Sequence, residues 1–157
     1  MTRQSTTLFL STPDETAALA RWIAPGLRPG DVLLLQGDIG AGKTHFARAL
    51  IQSLLSEPED VPSPTFTLVQ TYETPGSEIW HADLYRLTSP DEVVELGLTD
   101  AFEDAICLVE WPDRLAELAP QSALRLDFSL GDTEGQRKLT LSWQTGRWTP
   151  LVQEISQ

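Results

Sequence analysis

The chain has 157 residues, with 11 Lys plus Arg against 23 Asp plus Glu, a formal charge of −12, and 41% hydrophobic residues. That length and apolar content suit one globular domain and exclude a wholly disordered chain. So acidic a surface repels phosphate backbones and anionic bilayers, which argues against unaided binding of tRNA or DNA and against a membrane partner. The lone Cys107 cannot form an internal disulfide and points to a cytoplasmic setting. With only His45 and His81 beside it, a zinc site of the Cys/His type lacks ligands. The purely apolar runs, such as residues 32–35, are only a few residues long, too short for a signal peptide or a membrane span.

In chain order, residues 6–10 read as a short strand. Thr12-Pro13-Asp14-Glu15 then opens a helix that runs to about Ala24. Thr12 is the cap, Pro13 sits in the first turn and Glu15 reaches back. Residues 32–36 form an apolar run without alternation, the mark of a strand covered on both faces. After a glycine-rich turn, Phe46, Ala47, Leu50, Ile51 and Leu54 recur at helical spacing. Residues 56–64 hold three prolines and read as a loop, residues 65–73 as a strand and residues 78–84 as the next strand. Ser89-Pro90-Asp91-Glu92 repeats the capping pattern and opens a short helix ending near Gly97. Residues 106–109 are a second buried strand that ends in Glu110, and residues 112–118 are a loop or short helix. Residues 124–130 and 138–143 alternate about a Gly-Asp-Thr-Glu-Gly turn and predict an antiparallel hairpin. The last ten residues carry no clear pattern. The expected fold class is α/β, a mixed sheet with parallel core strands flanked by helices and a C-terminal antiparallel hairpin.

The strongest signal is Gly37-x4-Gly42-Lys43-Thr44, which satisfies the phosphate-loop pattern. Composition alone would produce it about once in a thousand such chains. Here it also follows a buried strand, opens a helix and holds one of only two lysines. Glycines let successive N–H groups curl around phosphate oxygens, and the helix aims its positive end at the same anion. Lys43 adds a point charge for the β and γ phosphates, and Thr44 a hydroxyl for Mg²⁺.

A Mg²⁺–nucleotide site also needs a carboxylate at a neighbouring strand end, and Glu110 stands in that position. Asp83, in His81-Ala82-Asp83-Leu84-Tyr85-Arg86, suits an acid that orients water or reaches the ion through its shell; an ordinary ion pair with Arg86 fits the sequence equally well. Ser63 and Thr65, in a proline-bounded loop, suit either a segment that responds to the γ phosphate or a plain turn. His45 reads as a surface residue, Cys107 as inert core, and the five tryptophans as packing residues, with Trp111 beside Glu110 the exception to watch. Residues 87–113 hold eight acids and no Lys or Arg, a solvated face or a surface for a basic partner protein.

Four runs occur in order: Gly37-Asp38-Ile39-Gly40-Ala41-Gly42-Lys43-Thr44, Ser63-Pro64-Thr65-Phe66-Thr67-Leu68-Val69, His81-Ala82-Asp83-Leu84-Tyr85-Arg86-Leu87 and Val109-Glu110-Trp111-Pro112. Together they resemble the TsaE (YjeE) family of bacterial tRNA threonylcarbamoyladenosine biosynthesis ATPases, over roughly residues 5–145. The resemblance implies a single P-loop ATPase domain that binds ATP or ADP with Mg²⁺. It implies action with TsaD and TsaB in placing the threonylcarbamoyl group on adenosine 37 of tRNAs that read ANN codons, with tRNA reached only through that complex. By the resemblance, Gly37 through Thr44 and the adjoining His45, where the family commonly has Thr, line the nucleotide. Lys43, Asp83 and Glu110 then serve catalysis, Thr44 and Glu110 the metal, and Ser63 and Thr65 a switch-like loop. Glu15, Thr16 and Arg137 fall where the family often contacts the nucleotide.

Two other readings use the same loop. A small-molecule kinase needs a basic lid, for which the chain has little length and only one further lysine, Lys138. A non-catalytic nucleotide-dependent switch would bind without useful hydrolysis; its guanine-specific form needs an Asn/Thr-Lys-x-Asp motif that the sequence lacks.

Overall fold

The computed structural model describes residues 3–38 and 40–155. Seven strands form one sheet: β1 (Gln4–Leu10), β2 (Val32–Gln36), β3 (Val69–Glu73), β4 (Glu78–Asp83), β5 (Ile106–Glu110), β6 (Leu124–Leu130) and β7 (Arg137–Trp143), in the order β1-β7-β6-β2-β5-β4-β3. β6, β2, β5 and β4 run parallel as neighbours, while β7 and β3 pair antiparallel with β6 and β4, and β1 with β7. The hairpin β6–β7 forms as its alternation predicts, and its first strand also belongs to the parallel core.

The unbroken apolar run of β2 is explained by two cores. Leu33 and Leu35 point to one face, with Ile23, Phe46, Leu50 and Ile51; Val32 and Leu34 point to the other, with Val93, Leu98 and Val109. Each such fully buried leucine contributes roughly 1.5–3 kcal/mol of transfer free energy. Helices α1 (Pro13–Ile23) and α2 (Lys43–Leu54) cover the first face, and α3 (Pro90–Glu95) and α4 (Leu98–Asp104) the second. α1 starts as its capping residues require: Thr12 Oγ1 accepts from Glu15 N at 3.2 Å, and Glu15 Oε1 accepts from Ser11 N at 3.3 Å.

Three segments depart from the sequence reading. Residues 65–68 are not strand. The chain turns there, Leu68 N donating to Pro64 O at 2.7 Å with Leu68 at φ 71°, and β3 begins at Val69. The β-favouring Thr and Phe are overridden by contacts with the end of β4, where Asp83 N donates to Leu68 O. α4 continues where the sequence reading ends the helix: Gly97, at φ 84°, closes α3 and starts a second helix that buries Leu98 and Ala101 one turn apart. At the C-terminus, α5 (Thr149–Ile155) follows a short 3₁₀ turn, anchored by buried Trp148 and by the Arg147 guanidinium on the Asp31 carboxylate.

No helix among the described residues is long and apolar enough to cross a membrane.

Candidate functional site

The carboxyl ends of parallel strands open onto one side of a sheet, and ligands of α/β folds bind there. β2 ends at Gln36 and runs into the glycine loop; β4 ends at Asp83 and β5 at Glu110, which are register partners across the β4–β5 ladder. Leu35 of β2 pairs with Glu110. Register thus brings together a loop and two carboxylates far apart in sequence. Between them lies a cleft of about 400 Å³.

The loop takes the strained backbone that glycine allows. Gly40 and Gly42 stand at φ 83° and 110°, and Ala41 N donates to Asp38 O at 3.0 Å to close the turn. Lys43 opens α2 and is 4% exposed. Its ammonium donates to Gly37 O and lies 3.6 Å from the centre of the Trp111 ring. Burial lowers the Lys43 pKa from its ordinary value, while Glu110 first, then Asp83, Asp38 and Asp113, pull it back up.

Glu110 is 2% exposed and far from a solvated strand end. Thr44 Oγ1 donates to its Oε1 at 2.8 Å, and His81 Nε2 stands 2.7 Å from Oε2. His81 thus serves as a buried neighbour that holds the acid in place. Asp83, 5% exposed, does not pair with Arg86 among the described residues. It accepts instead from Thr65 Oγ1 at 3.2 Å and from Tyr85 N at 3.0 Å, and the Arg86 guanidinium lies over the exposed Phe66 ring. Ser63 Oγ is 2.8 Å from Thr65 Oγ1, so the loop hydroxyls run in a chain to the acid. Two buried carboxylates and a hydroxyl are hard oxygen donors of the kind Mg²⁺ takes beside phosphate.

Of the residues named from sequence, Thr16, Gly40, Gly42, Lys43, Thr44, His45, Thr65, Asp83, Glu110 and Arg137 line the cleft. Gly37, Asp38 and Ala41 shape the loop through their backbone. Ile39 lies outside the described residues. Glu15 is not on the cleft wall; its carboxylate is engaged at Ser11. His45 is exposed yet anchored, its Nε2 2.9 Å from Pro13 O. Sequence reasoning missed Pro13 and Gly135 of the lining, and the Tyr85 ring that packs 4.8 Å from Trp111. A proline and a glycine in turns announce a bend and not a binding wall, so only the glycine's place beside Arg137 could have drawn notice.

Comparisons with known proteins agree over most of the chain. A family model described as threonylcarbamoyl adenosine biosynthesis protein TsaE matches residues 10–139. The tRNA threonylcarbamoyladenosine biosynthesis protein TsaE of Rickettsia bellii is 40% identical over 126 residues, 80% of this chain and 88% of the relative. That of Bacillus subtilis is 38% identical over 147 residues, 92% of this chain and 90% of the relative. The crystal structure of YdiB from Bacillus subtilis superposes with a TM-score of 0.79 at 29% identity, covering 99% of this chain and 97% of that one.

Proposed function

The chain belongs to the TsaE family of tRNA threonylcarbamoyladenosine biosynthesis proteins, and from that premise we propose that it binds ATP with Mg²⁺ and hydrolyses it in support of a TsaD–TsaB complex that modifies adenosine 37. The observation that carries this reading is the convergence of a phosphate loop, a buried lysine and two buried carboxylates on one cleft. Loop N–H groups and the start of α2 receive the phosphate chain, and Lys43 balances charge that spreads over the γ-phosphoryl oxygens as water attacks. Thr44 and Glu110 would hold Mg²⁺, which neutralises phosphate charge when bound. Asp83 orients the water, and the Thr65 hydroxyl on its Oδ2 ties that acid to the loop at residues 63–67. Arg86, the nearest thing to an arginine finger in the sequence, is stacked on Phe66. Hydrolysis by the chain alone is therefore weak and rises with its partners. tRNA enters through those partners, in keeping with a charge of −12.

The test is phosphate release from ATP and Mg²⁺, with and without TsaD and TsaB; equal rates reject the dependence on partners. Glu110→Gln is expected to lower release by about 10²–10³ while nucleotide binding persists. If tRNA modification continues undiminished with that variant, the chain is a passive switch and hydrolysis is incidental.

A further inference from the structure

Arg137 is the first residue of β7, opposite Leu130 at the end of β6 and Leu10 at the end of β1. It is 96 residues from the loop it touches. Its Nε donates to Ala41 O at 3.0 Å and its Nη2 to Gly40 O at 3.2 Å, two consecutive loop carbonyls. Its Nη1 donates to Gln136 O at 3.1 Å. All three guanidinium nitrogens thus donate to backbone, using three of the group's five N–H bonds, so the group is held in place with its fork turned toward the loop. The hairpin also packs against the loop's entry: a Cβ on Gly37 would lie 2.6 Å from Phe128 O.

A trans peptide holds its C=O and N–H in opposite directions. Fixing the Ala41 carbonyl therefore fixes the N–H of Gly42, and fixing the Gly40 carbonyl fixes that of Ala41. The Ala41 N–H is already given to Asp38 O. The Gly42 N–H is the donor left under the control of Arg137. A charge-assisted bond to a carbonyl also polarises its peptide and strengthens the N–H on the other side.

We propose that Arg137 is a positioning residue for the phosphate subsite, acting through the Gly40 and Ala41 carbonyls to aim the Gly42 N–H at the phosphate chain, so that hairpin β6–β7 is part of the nucleotide site. The proposal deepens the ATP reading and rests on it for the identity of the anion. It differs from the expectation that Arg137 touches the nucleotide itself, because a base contact and a loop brace respond to different probes.

The experiment compares wild type, Arg137→Ala and Arg137→Lys by calorimetry with inorganic tripolyphosphate, ADP, ATP and GTP, each with Mg²⁺, and by amide exchange at residues 40–43 without nucleotide. Both variants are expected to lose affinity for tripolyphosphate, ADP and ATP by a common factor, about ten- to a hundredfold, the worth of a charge-assisted hydrogen bond or two. The ratio of ATP to GTP affinity stays as in wild type, and exchange at residues 40–43 quickens. Arg137→Lys keeps the charge on a shorter, unforked side chain and carries the test if the alanine variant does not fold. Unchanged tripolyphosphate affinity with an altered ATP to GTP ratio overturns the proposal in favour of a base contact. Full affinity in Arg137→Lys overturns it in favour of charge alone. Unchanged exchange in the variants overturns the brace whatever binds. A wild-type protein that binds neither ATP nor tripolyphosphate instead overturns the nucleotide reading.

Discussion

Two of the cleft's walls are made differently. One is contiguous chain: β2, the glycine loop after it and the start of α2, the part proposed to meet phosphate through backbone N–H groups. The other is assembled from side chains of three separate segments, Thr65, Asp83 with Tyr85, and Glu110 with Trp111, joined by hydrogen bonds and ring contacts. Recognition of phosphate needs only local geometry, so it can be written into eight consecutive residues. Charge management around a reacting phosphoryl group needs acids at fixed separations, and here sheet register sets them. Lys43 belongs to the first wall by chain and to the second by contact, lying against Trp111 and near both carboxylates.

Removing that shared residue has the largest expected effect. Lys43→Met should lower ATP affinity by about a hundredfold or more, since a phosphate loses a charged partner at a buried position. The same change should help the nucleotide-free fold. Burial lowers the Lys43 pKa from its ordinary 10.5, so between the lowered value and 10.5 the unfolded chain holds more protons, and the contribution of this group to stability rises with pH through that window. Below the window the charged lysine is a constant burden that methionine lacks. The variant should therefore melt above wild type at neutral pH, with the gap closing as pH approaches 10.5. A variant that melts lower at neutral pH would mean that the attraction of Glu110 and Asp83 outweighs burial, and the walls would be coupled in the empty protein as well.

The contrast between walls also governs what the sequence makes legible. β2, the loop and α2 were readable because buried strand, glycine turn and amphipathic helix follow one another without a break. Glu110 could be placed at a strand end, yet its partnership with His81 depends on β4 lying beside β5, which no local pattern encodes. Residues 65–68 misled because Thr and Phe favour strands intrinsically; tertiary contacts to Asp83 decide the turn. Asp83 reads two ways in the sequence because Arg86 is three residues away; the packing of Arg86 on Phe66, with Thr65 and Tyr85 N on the acid, speaks against the ion pair and leaves the role toward water as a proposal. α4 was hidden by a glycine that ends one helix and begins another.

If the first wall works as rigid backbone, its glycines should differ by space and not by identity. A Cβ on Gly37 would meet Phe128 O at 2.6 Å, whereas one on Gly40 meets nothing within 4 Å. Gly37→Ala, strained both by its φ of 153° and by overpacking, should cost about 2–5 kcal/mol of stability and weaken ATP binding with it. Gly40→Ala should cost about 1–2 kcal/mol from its left-handed backbone alone. Denaturant midpoints of the two variants check this; equal costs with unchanged ATP affinity would show that the hairpin yields to the loop.

The second wall offers a finer break at His81, which is fully buried, holds Glu110 through Nε2 and, among the described residues, has no hydrogen-bond partner for Nδ1. A histidine kept in the core with one nitrogen idle is poorly explained by packing, and better by the orientation it gives the acid. With His81 on Oε2 and Thr44 on Oε1, Glu110 is held from two sides. His81→Phe keeps ring volume and removes one side, leaving Thr44 to hold the carboxylate. The expected cost is about 1–3 kcal/mol of stability, because a buried carboxylate oxygen loses its shortest hydrogen-bond partner. The expected functional effect is narrower: a Mg²⁺ requirement shifted to higher concentration, about tenfold, as for loss of an outer partner of a metal-binding acid, with ATP affinity in chelator unchanged. His81→Gln, whose amide offers an N–H, should recover part of the shift. Titrating nucleotide binding against Mg²⁺ reads the effect directly. An equal loss of ATP affinity with and without Mg²⁺ would mean that His81 supports the whole cleft, and that the two walls are one structure.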